Sequence, residues 1–417
     1  MRTIRSRAVV ALIVALGAMT LLGAVAGAAQ PAVITSVAAG CQIIPPPPVD
    51  LSEVPAPGTP APPPMTVPNR PVGGPRMGEC GLVLPAGAPA PPAGISATSW
   101  LVADADSGAV LAAKDPHARH RPASTIKLLT ALLAADQLPP NRVVVATQAD
   151  ADQEGSRTGL GPGGCYTVRQ LLAGLLLVSG NDAAHALSGQ LGGVAATVEQ
   201  MNELAGRLGA LDTRAATPSG LDGPGMSTSA YDLALAFRQV LDRPLLTELL
   251  GTRQVDFPGF GGRPGFVLSN DNKLLRNYPG ALGGKTGFTD DARHTLVEAA
   301  QRGGRRLIVV LMRGEQRPVL MSEQAARLLD YGFALTPGRP VGQLVDKAPP
   351  PETAETTPGA IPGAIPTPPP AGSPAASRSG TGGSPGAGSL VPVALWIGLA
   401  IAVLAALSTL VARQRHR

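Results

Sequence analysis

Pro122-Ala123-Ser124-Thr125-Ile126-Lys127-Leu128-Leu129-Thr130-Ala131-Leu132-Leu133 decides how this chain is read. Lys127 is the one charged residue between Ala123 and Ala135. The spacing predicts a helix that starts at Ser124 and is apolar on nearly every face, so it belongs inside a folded domain. Ser124 and Lys127, three apart, lie on one face of it. Burial disfavours an ammonium and lowers its pKa. A neutral amine can then take the proton of a serine hydroxyl. The positive end of the helix dipole favours charge developing at Ser124. Taken alone, the four residues are better read as a capping serine and a lysine that snorkels to solvent, since the motif is short.

Two further words extend the reading. Ser179-Gly180-Asn181 interrupts two apolar helical stretches, one carrying Leu171, Leu172, Leu175 and Leu176, the other Ala183, Ala184 and Leu187. It is either a plain helix–loop–helix with a cap, or a hydroxyl and an amide set beside the nucleophile. Lys285-Thr286-Gly287-Phe288-Thr289 should lie on a strand. There Gly287 leaves room for a substrate backbone, while Lys285 and Thr286 offer a charge and a hydroxyl to a carboxylate. Gly284-Lys285-Thr286 also ends like a P-loop, but that motif needs glycine at 279, where this chain has Pro279. The string Gly382-Gly383-Ser384-Pro385-Gly386 mimics a nucleophile elbow inside low-complexity sequence and carries no weight.

Around these words the pattern is mixed. Ser99 to Ala103 and Ala109 to Ala112 read as strands about an Asp106-Ser107-Gly108 turn. Val168 to Val178, Asp182 to Leu191 and Val198 to Leu208 read as helices. Thr295 to Ala300 and Arg305 to Met312 read as a hairpin through Gly303-Gly304, and Ser322 to Phe333 as a closing helix. Strands at both ends with helices between predict an α+β domain, an antiparallel sheet sharing its core with a helical lobe. Its bounds are set at 95–337. Residues 29–94 and 348–389 are rich in proline, or in proline, glycine and serine, and are expected to be disordered.

The ends add topology. Arg2, Arg5 and Arg7 precede an apolar run closing in Ala26-Gly27-Ala28, which reads as a signal peptide over 1–28. Residues 391–412 are free of charge and long enough to span a bilayer; the basic tail 413–417 puts that side in the cytoplasm. The expected arrangement is a single-pass type I membrane protein with its folded domain outside. Net charge is +5, but six positive charges are these terminal arginines, so the exported part stands at −1 and offers no field for nucleic acid. Cys41, Cys80 and Cys165 allow three pairings, of which Cys41 with Cys80 is the working choice. No metal-ligand spacing is present, and no metal or cofactor is expected.

With those residues in hand, the chain resembles the D-alanyl-D-alanine carboxypeptidases among the low-molecular-mass penicillin-binding proteins, serine acyltransferases with SxxK, SGN and KTG motifs. The resemblance covers about Trp100 to Leu335. It includes Tyr166-Thr167-Val168 before the second word, Pro218-Ser219-Gly220-Leu221-Asp222 with Ser227-Thr228 and Asp232-Leu233-Ala234, and Asn272-Lys273-Leu274-Leu275 before the third. It implies a penicillin-binding/β-lactamase-like fold. It implies Ser124 as nucleophile toward the carbonyl between two terminal D-alanines of a peptidoglycan stem peptide. Lys127 is then the base, and Ser179 and Asn181 assist. Lys285 and Thr286 hold the terminal carboxylate, and the backbone N–H groups of Ser124 and Phe288 form the oxyanion hole. β-Lactams would acylate the same serine. Unlike some relatives, which carry an all-β domain and an amphipathic anchor, this chain is expected to have a flexible tether and a full span there.

Three rival functions share these motifs. One is a D,D-endopeptidase. Another is a class A-like β-lactamase, which needs a glutamate to activate the deacylating water; no E-x-x-L-N string lies between Asn181 and Lys285, and Glu199 reads as the polar side of a helix. The last is a non-catalytic wall-binding protein, against which the full set of reactive side chains argues.

Overall fold

The computed structural model of the protein describes residues 54–336 and 338–350. The expected signal peptide, span and basic tail, and all but the first three residues of the expected linker, lie outside them. No helix among the described residues is long and apolar enough to cross a membrane.

The central sheet is antiparallel throughout. It contains β1 (Leu82–Val83), β2 (Ser99–Asp104) and β3 (Ala109–Lys114), and, from the other end of the chain, β8 (Ala281–Thr289), β9 (Arg293–Arg302), β10 (Arg305–Gly314) and β11 (Gly342–Gln343). The strand order is β1-β3-β2-β10-β9-β8, and β11 shares the outer edge of β3 with β1. Two short ribbons lie apart: β4 (Val143–Val145) with β5 (Cys165–Thr167), and β6 (Gln254–Phe257) with β7 (Phe266–Ser269). The helices are α1 (Lys127–Gln137), α2 (Gln148–Ala151), α3 (Val168–Leu177), α4 (Asn181–Gln190), α5 (Val194–Leu208), α6 (Ala230–Leu241), α7 (Pro244–Gly251), α8 (Leu274–Asn277) and α9 (Met321–Ala334).

Both faces of the sheet are covered, which is why its strands read as continuous apolar runs rather than alternating ones. Successive side chains still point to opposite faces. Trp100, Val102, Leu307, Val309 and Leu311 pack with α9 residues such as Leu328 and Leu329. Leu101, Ala103, Ile308, Val310 and Met312 pack with the helical lobe, whose centre is α1. Helices α3 and α4 continue that lobe, and α3 opens with a reciprocal cap between Thr167 and Gln170. The expected α+β architecture is present, with each predicted strand and helix in place to within a few residues. Helix α5 begins four residues earlier than expected, because its first turn follows Gly193 with no capping side chain to mark its start.

Two expectations on the domain's limits need correction. Residues 54–94 are not an unstructured leader: Val72, Met77 and Val83 are buried in the core. Proline-rich backbone lacks donors, yet its carbonyls are free to accept, and three side chains of the domain use them. Arg119 donates to Met65 O (2.9 Å) and Thr66 O (2.7 Å), Arg214 to Pro63 O (2.7 Å), and His117 Nε2 lies 2.9 Å from Val72 O. Past residue 337, β11 and Leu344 close the same edge. Cys80 is disulfide-bonded and Cys165 is a free, exposed thiol, so neither pairing that uses Cys165 forms; Cys41 lies outside the described residues.

Arg119 also donates to the buried carboxylate of Asp212 at 3.0 Å. Arg119→Ala should therefore loosen the strap and leave the Asp212 carboxylate only His117, whose Nδ1 is 2.7 Å from it, as a charged partner, at a cost of about 3 kcal/mol, the upper end for losing a hydrogen bond to a charged group. Calorimetry on the full chain should show Tm lowered by about 6–12 °C, with faster proteolysis near residue 65; an unchanged Tm would contradict this account of the strap.

Candidate active site

Ser124 does not sit in the helix that its sequence predicts. It lies on a 3₁₀ turn, Ala123–Ile126, and α1 starts at Lys127. Side chains three apart eclipse one another in a 3₁₀ turn, so the expected face is kept: Lys127 Nζ is 2.8 Å from Ser124 Oγ. Ala123 opens the turn at φ +48°, a conformation a non-glycine residue adopts at a cost of about 1–3 kcal/mol.

That turn is gripped from two sides. A Cβ on Gly287 of β8 would stand 2.9 Å from Ser124 N and 2.4 Å from Thr295 Oγ1. A Cβ on Gly220 would stand 2.0 Å from Ala123 O and 2.9 Å from Ser124 N. Thr295 on β9 donates to Pro122 O at 2.8 Å. The room left by Gly287 is thus taken by the turn that carries Ser124, where sequence reasoning gave it to a substrate backbone.

Lys127 is fully buried. Besides Ser124 Oγ, its amine reaches Asn181 Oδ1 at 2.7 Å and Ser219 O at 2.5 Å. Burial pushes its pKa well below the ordinary lysine range; the Lys285 charge adds to this and Asp182 opposes it. An amide oxygen and a carbonyl can only accept, so they take two N–H groups. A neutral amine then has its lone pair left for the hydroxyl of Ser124.

Ser179 stands between α3 and α4 at φ +60° and is almost buried at the cleft wall. Asn181 begins α4. Its amide nitrogen donates to Glu154 O at 2.6 Å, and its backbone N–H to Ser156 O at 2.7 Å. Asn181 therefore ties Lys127 to the 154–156 loop. The neighbouring Asp182 was not singled out from sequence. Its buried carboxylate accepts from the backbone N–H groups of Thr158 (2.8 Å), Gly159 (2.8 Å) and Leu160 (3.0 Å), fixing that loop over the site.

Strand β8 carries the third word. Lys285 is 2 % exposed; its pKa is pushed down to about 7 by burial, against the pull of Asp271 and Glu298. Its amine donates to Thr286 O at 2.6 Å. Phe288 is half-exposed, its ring 4.5 Å from that of His294. A cleft of about 340 Å³ opens here, lined among others by Ser124, Ser156, Ser179, Thr286, Phe288 and Glu298. All three words meet at this one place. Ser219 O and Glu298 complete it and were missed as site residues. Ser219 acts through its backbone, which composition does not reveal, and Glu298 reads in the sequence as a lone charge in an apolar strand. Glu199 is exposed on α5.

The arrangement brings the Ser124 hydroxyl, the buried Lys127 amine, the Ser179 hydroxyl and the buried Lys285 amine to one strand edge. The sequence profile described as D-alanyl-D-alanine carboxypeptidase matches residues 86–316. The chain is 50% identical over 267 residues to D-alanyl-D-alanine carboxypeptidase DacB2 of Mycobacterium tuberculosis, covering 63% of this chain and 90% of that one. It is 33% identical to DacF of Bacillus subtilis, covering 57% of this chain and 62%, less than two thirds, of that relative. A crystal structure of a D-alanyl-D-alanine carboxypeptidase from M. tuberculosis superposes with TM-score 0.60 at 48% identity, over 63% of this chain and all of that one. A Streptomyces DD-transpeptidase does so with TM-score 0.56 at 28% identity, over 58% of this chain and all of that one. By profile, by sequence and by fold, the chain belongs to the D-alanyl-D-alanine carboxypeptidase family.

Proposed function

We propose that the protein is a serine-type D-Ala-D-Ala carboxypeptidase that trims the terminal D-alanine from peptidoglycan stem peptides through an acyl-enzyme on Ser124. The observation that carries this reading is the buried Lys127 amine, 2.8 Å from Ser124 Oγ with its other contacts filled by acceptors. Ser124 Oγ attacks the carbonyl between the two D-alanines as its proton passes to Lys127. The oxyanion forms against the backbone N–H groups of Ser124 and Phe288. The C–N bond breaks and the amine leaves with a proton relayed through the Ser179 hydroxyl. Lys285 and Thr286 hold the terminal carboxylate, and Asn181 fixes Lys127 and the facing loop. Water then attacks the ester, and Ser124 recovers its proton. A β-lactam, presenting a strained amide and a carboxylate to the same groups, would acylate Ser124.

The charge-free run 391–412 and its basic tail support an anchor that holds the catalytic domain on the outer side of the membrane, facing the wall. The signal at 1–28 supports export.

Incubating the full chain with a pentapeptide stem should release free D-alanine; transfer to an amine acceptor without hydrolysis, or no turnover, would count against a carboxypeptidase. Ser124→Ala should lose labelling by fluorescent penicillin, and equal labelling would remove Ser124 as nucleophile. Lys127→Arg should slow acylation by about 10²–10⁴-fold, because arginine keeps its proton. The pH profile should be bell-shaped. Activity rises as Lys127 loses its proton, at a pH well below the ordinary lysine range. It falls as Lys285 loses its own, near pH 7 in the free enzyme. A profile that rises steadily to pH 10 would contradict both assignments. Gly287→Ala should leave the fold intact yet cut acylation at least about tenfold, since a misplaced nucleophile of this kind costs up to about 10²-fold.

A further inference from the structure

Helix α1 carries a second buried polar side chain on the face of Lys127. Thr130 lies three residues on, so the two share that face. It is fully buried, and its hydroxyl donates to Pro218 O at 2.7 Å. Met201 Sδ lies 3.5 Å from the same hydroxyl; a threonine has one proton to give, and the closer carbonyl takes it. Just before the turn that carries Ser124 stands Arg121, 1 % exposed. Its guanidinium donates to Gly223 O at 2.7 Å and lies 3.9 Å from the Asp222 carboxylate. Lys127 reaches Ser219 O between these two bonds. Three buried side chains spaced along 121–130 thus donate to three carbonyls spaced along 218–223. Only the bond from Lys127 belongs to the chemistry described above.

The backbone of that loop gives the other two bonds their purpose. A peptide plane is rigid, so a carbonyl is aimed by the dihedrals on either side of it. Ser219 O belongs to the plane between Ser219 and Gly220. On one side, Thr130 holds the preceding carbonyl, Pro218 O. On the other, Gly220 is at φ +86° and packs so closely on the Ser124 turn that a Cβ would stand 2.0 Å from Ala123 O. The loop also closes on itself: Gly220 N donates to Thr217 Oγ1 at 3.1 Å, and Thr217 Oγ1 donates to Leu221 O at 2.8 Å. Arg121 fixes its far end through Gly223 O, which also accepts from Met226 N at 3.0 Å. We infer that Thr130 and Arg121 are positioning residues for acyl transfer: they bracket the 218–223 loop so that Ser219 O holds the Lys127 amine with its lone pair toward Ser124 Oγ. This rests on the reading of Lys127 as the base. Neither side chain is among those that line the cleft, so their loss belongs to the acylation step and not to ligand binding.

The test is rapid-quench acylation of the full chain by a penicillin, which separates the acylation rate constant from the dissociation constant of the non-covalent complex. Thr130→Val keeps the side-chain shape and removes the donor. Its acylation rate constant should fall about tenfold or more, within the roughly 10²-fold that a misplaced reacting group costs, while the dissociation constant stays unchanged. Thr130→Ser keeps the hydroxyl and should restore the rate. Thr197→Val removes an equally buried hydroxyl from α5, one that donates to Gly193 O at 2.8 Å, and should leave the rate alone. Arg121→Lys keeps a cation beside Asp222 without the planar fork and should slow acylation in the same way. Because both residues aim one carbonyl, the double variant should lose less than the product of the two single losses. A wild-type rate in Thr130→Val, an equal loss in Thr197→Val, or a double variant slowed by the full product would overturn the inference and leave Lys127 as the base. Near wild-type acylation by Lys127→Arg would instead overturn the base reading, and this inference with it.

Discussion

One amine, shut away from water and given two pure acceptors, sets the terms for everything around it. Lys127 has no room for hydration, and a charge in that position lacks a close counter-ion: Asp182 acts on it only through space, and its carboxylate is spent on loop N–H groups. Neutrality is the cheaper state. The amide of Asn181 and the carbonyl of Ser219 then orient the nitrogen so that its remaining electron pair meets Ser124 Oγ. An acyl-transfer enzyme without a histidine depends on that orientation, because a lysine in water would be protonated and idle.

The rest of the molecule can be understood as the means of holding that amine and its hydroxyl together. Helix α1 is buried from Lys127 to Ala134, so the amine cannot swing to solvent. The turn before it is pinned between Gly220 and Gly287, two positions where any side chain would strike Ser124 N. Thr295 ties the same turn to β9. Sheet and helical lobe thus meet at one strained turn, and that is why the cleft lies there. The family's activity follows from this meeting.

Much of this was legible in the chain itself. Apolar periodicity located the hairpin of β9 and β10, helices α3 and α9, and the buried character of α1. The three words named Ser124, Lys127, Ser179, Asn181, Lys285 and Thr286 because side-chain chemistry at fixed spacing is local information. What sequence concealed was information carried by backbone and by distant contacts. Ser219 contributes a carbonyl, and any residue type has one. Gly287 makes room for a turn more than 160 residues earlier in the chain. The proline-rich strap folds because Arg119, Arg214 and His117 meet its carbonyls, not because it buries a core of its own. Helices α6 and α7 did leave signals, a capping Ser229 and a Pro244 in the first turn, that periodicity alone did not weigh.

The most direct measurement is the ζ-nitrogen resonance of Lys127 in protein labelled with ¹⁵N-lysine, assigned by its absence in Lys127→Arg and followed through a pH titration. A neutral-amine shift at pH 7, with protonation only on acidification, is the predicted result. An ammonium shift that persists to pH 9 or above would contradict the account, since the base would then hold its proton throughout the working range.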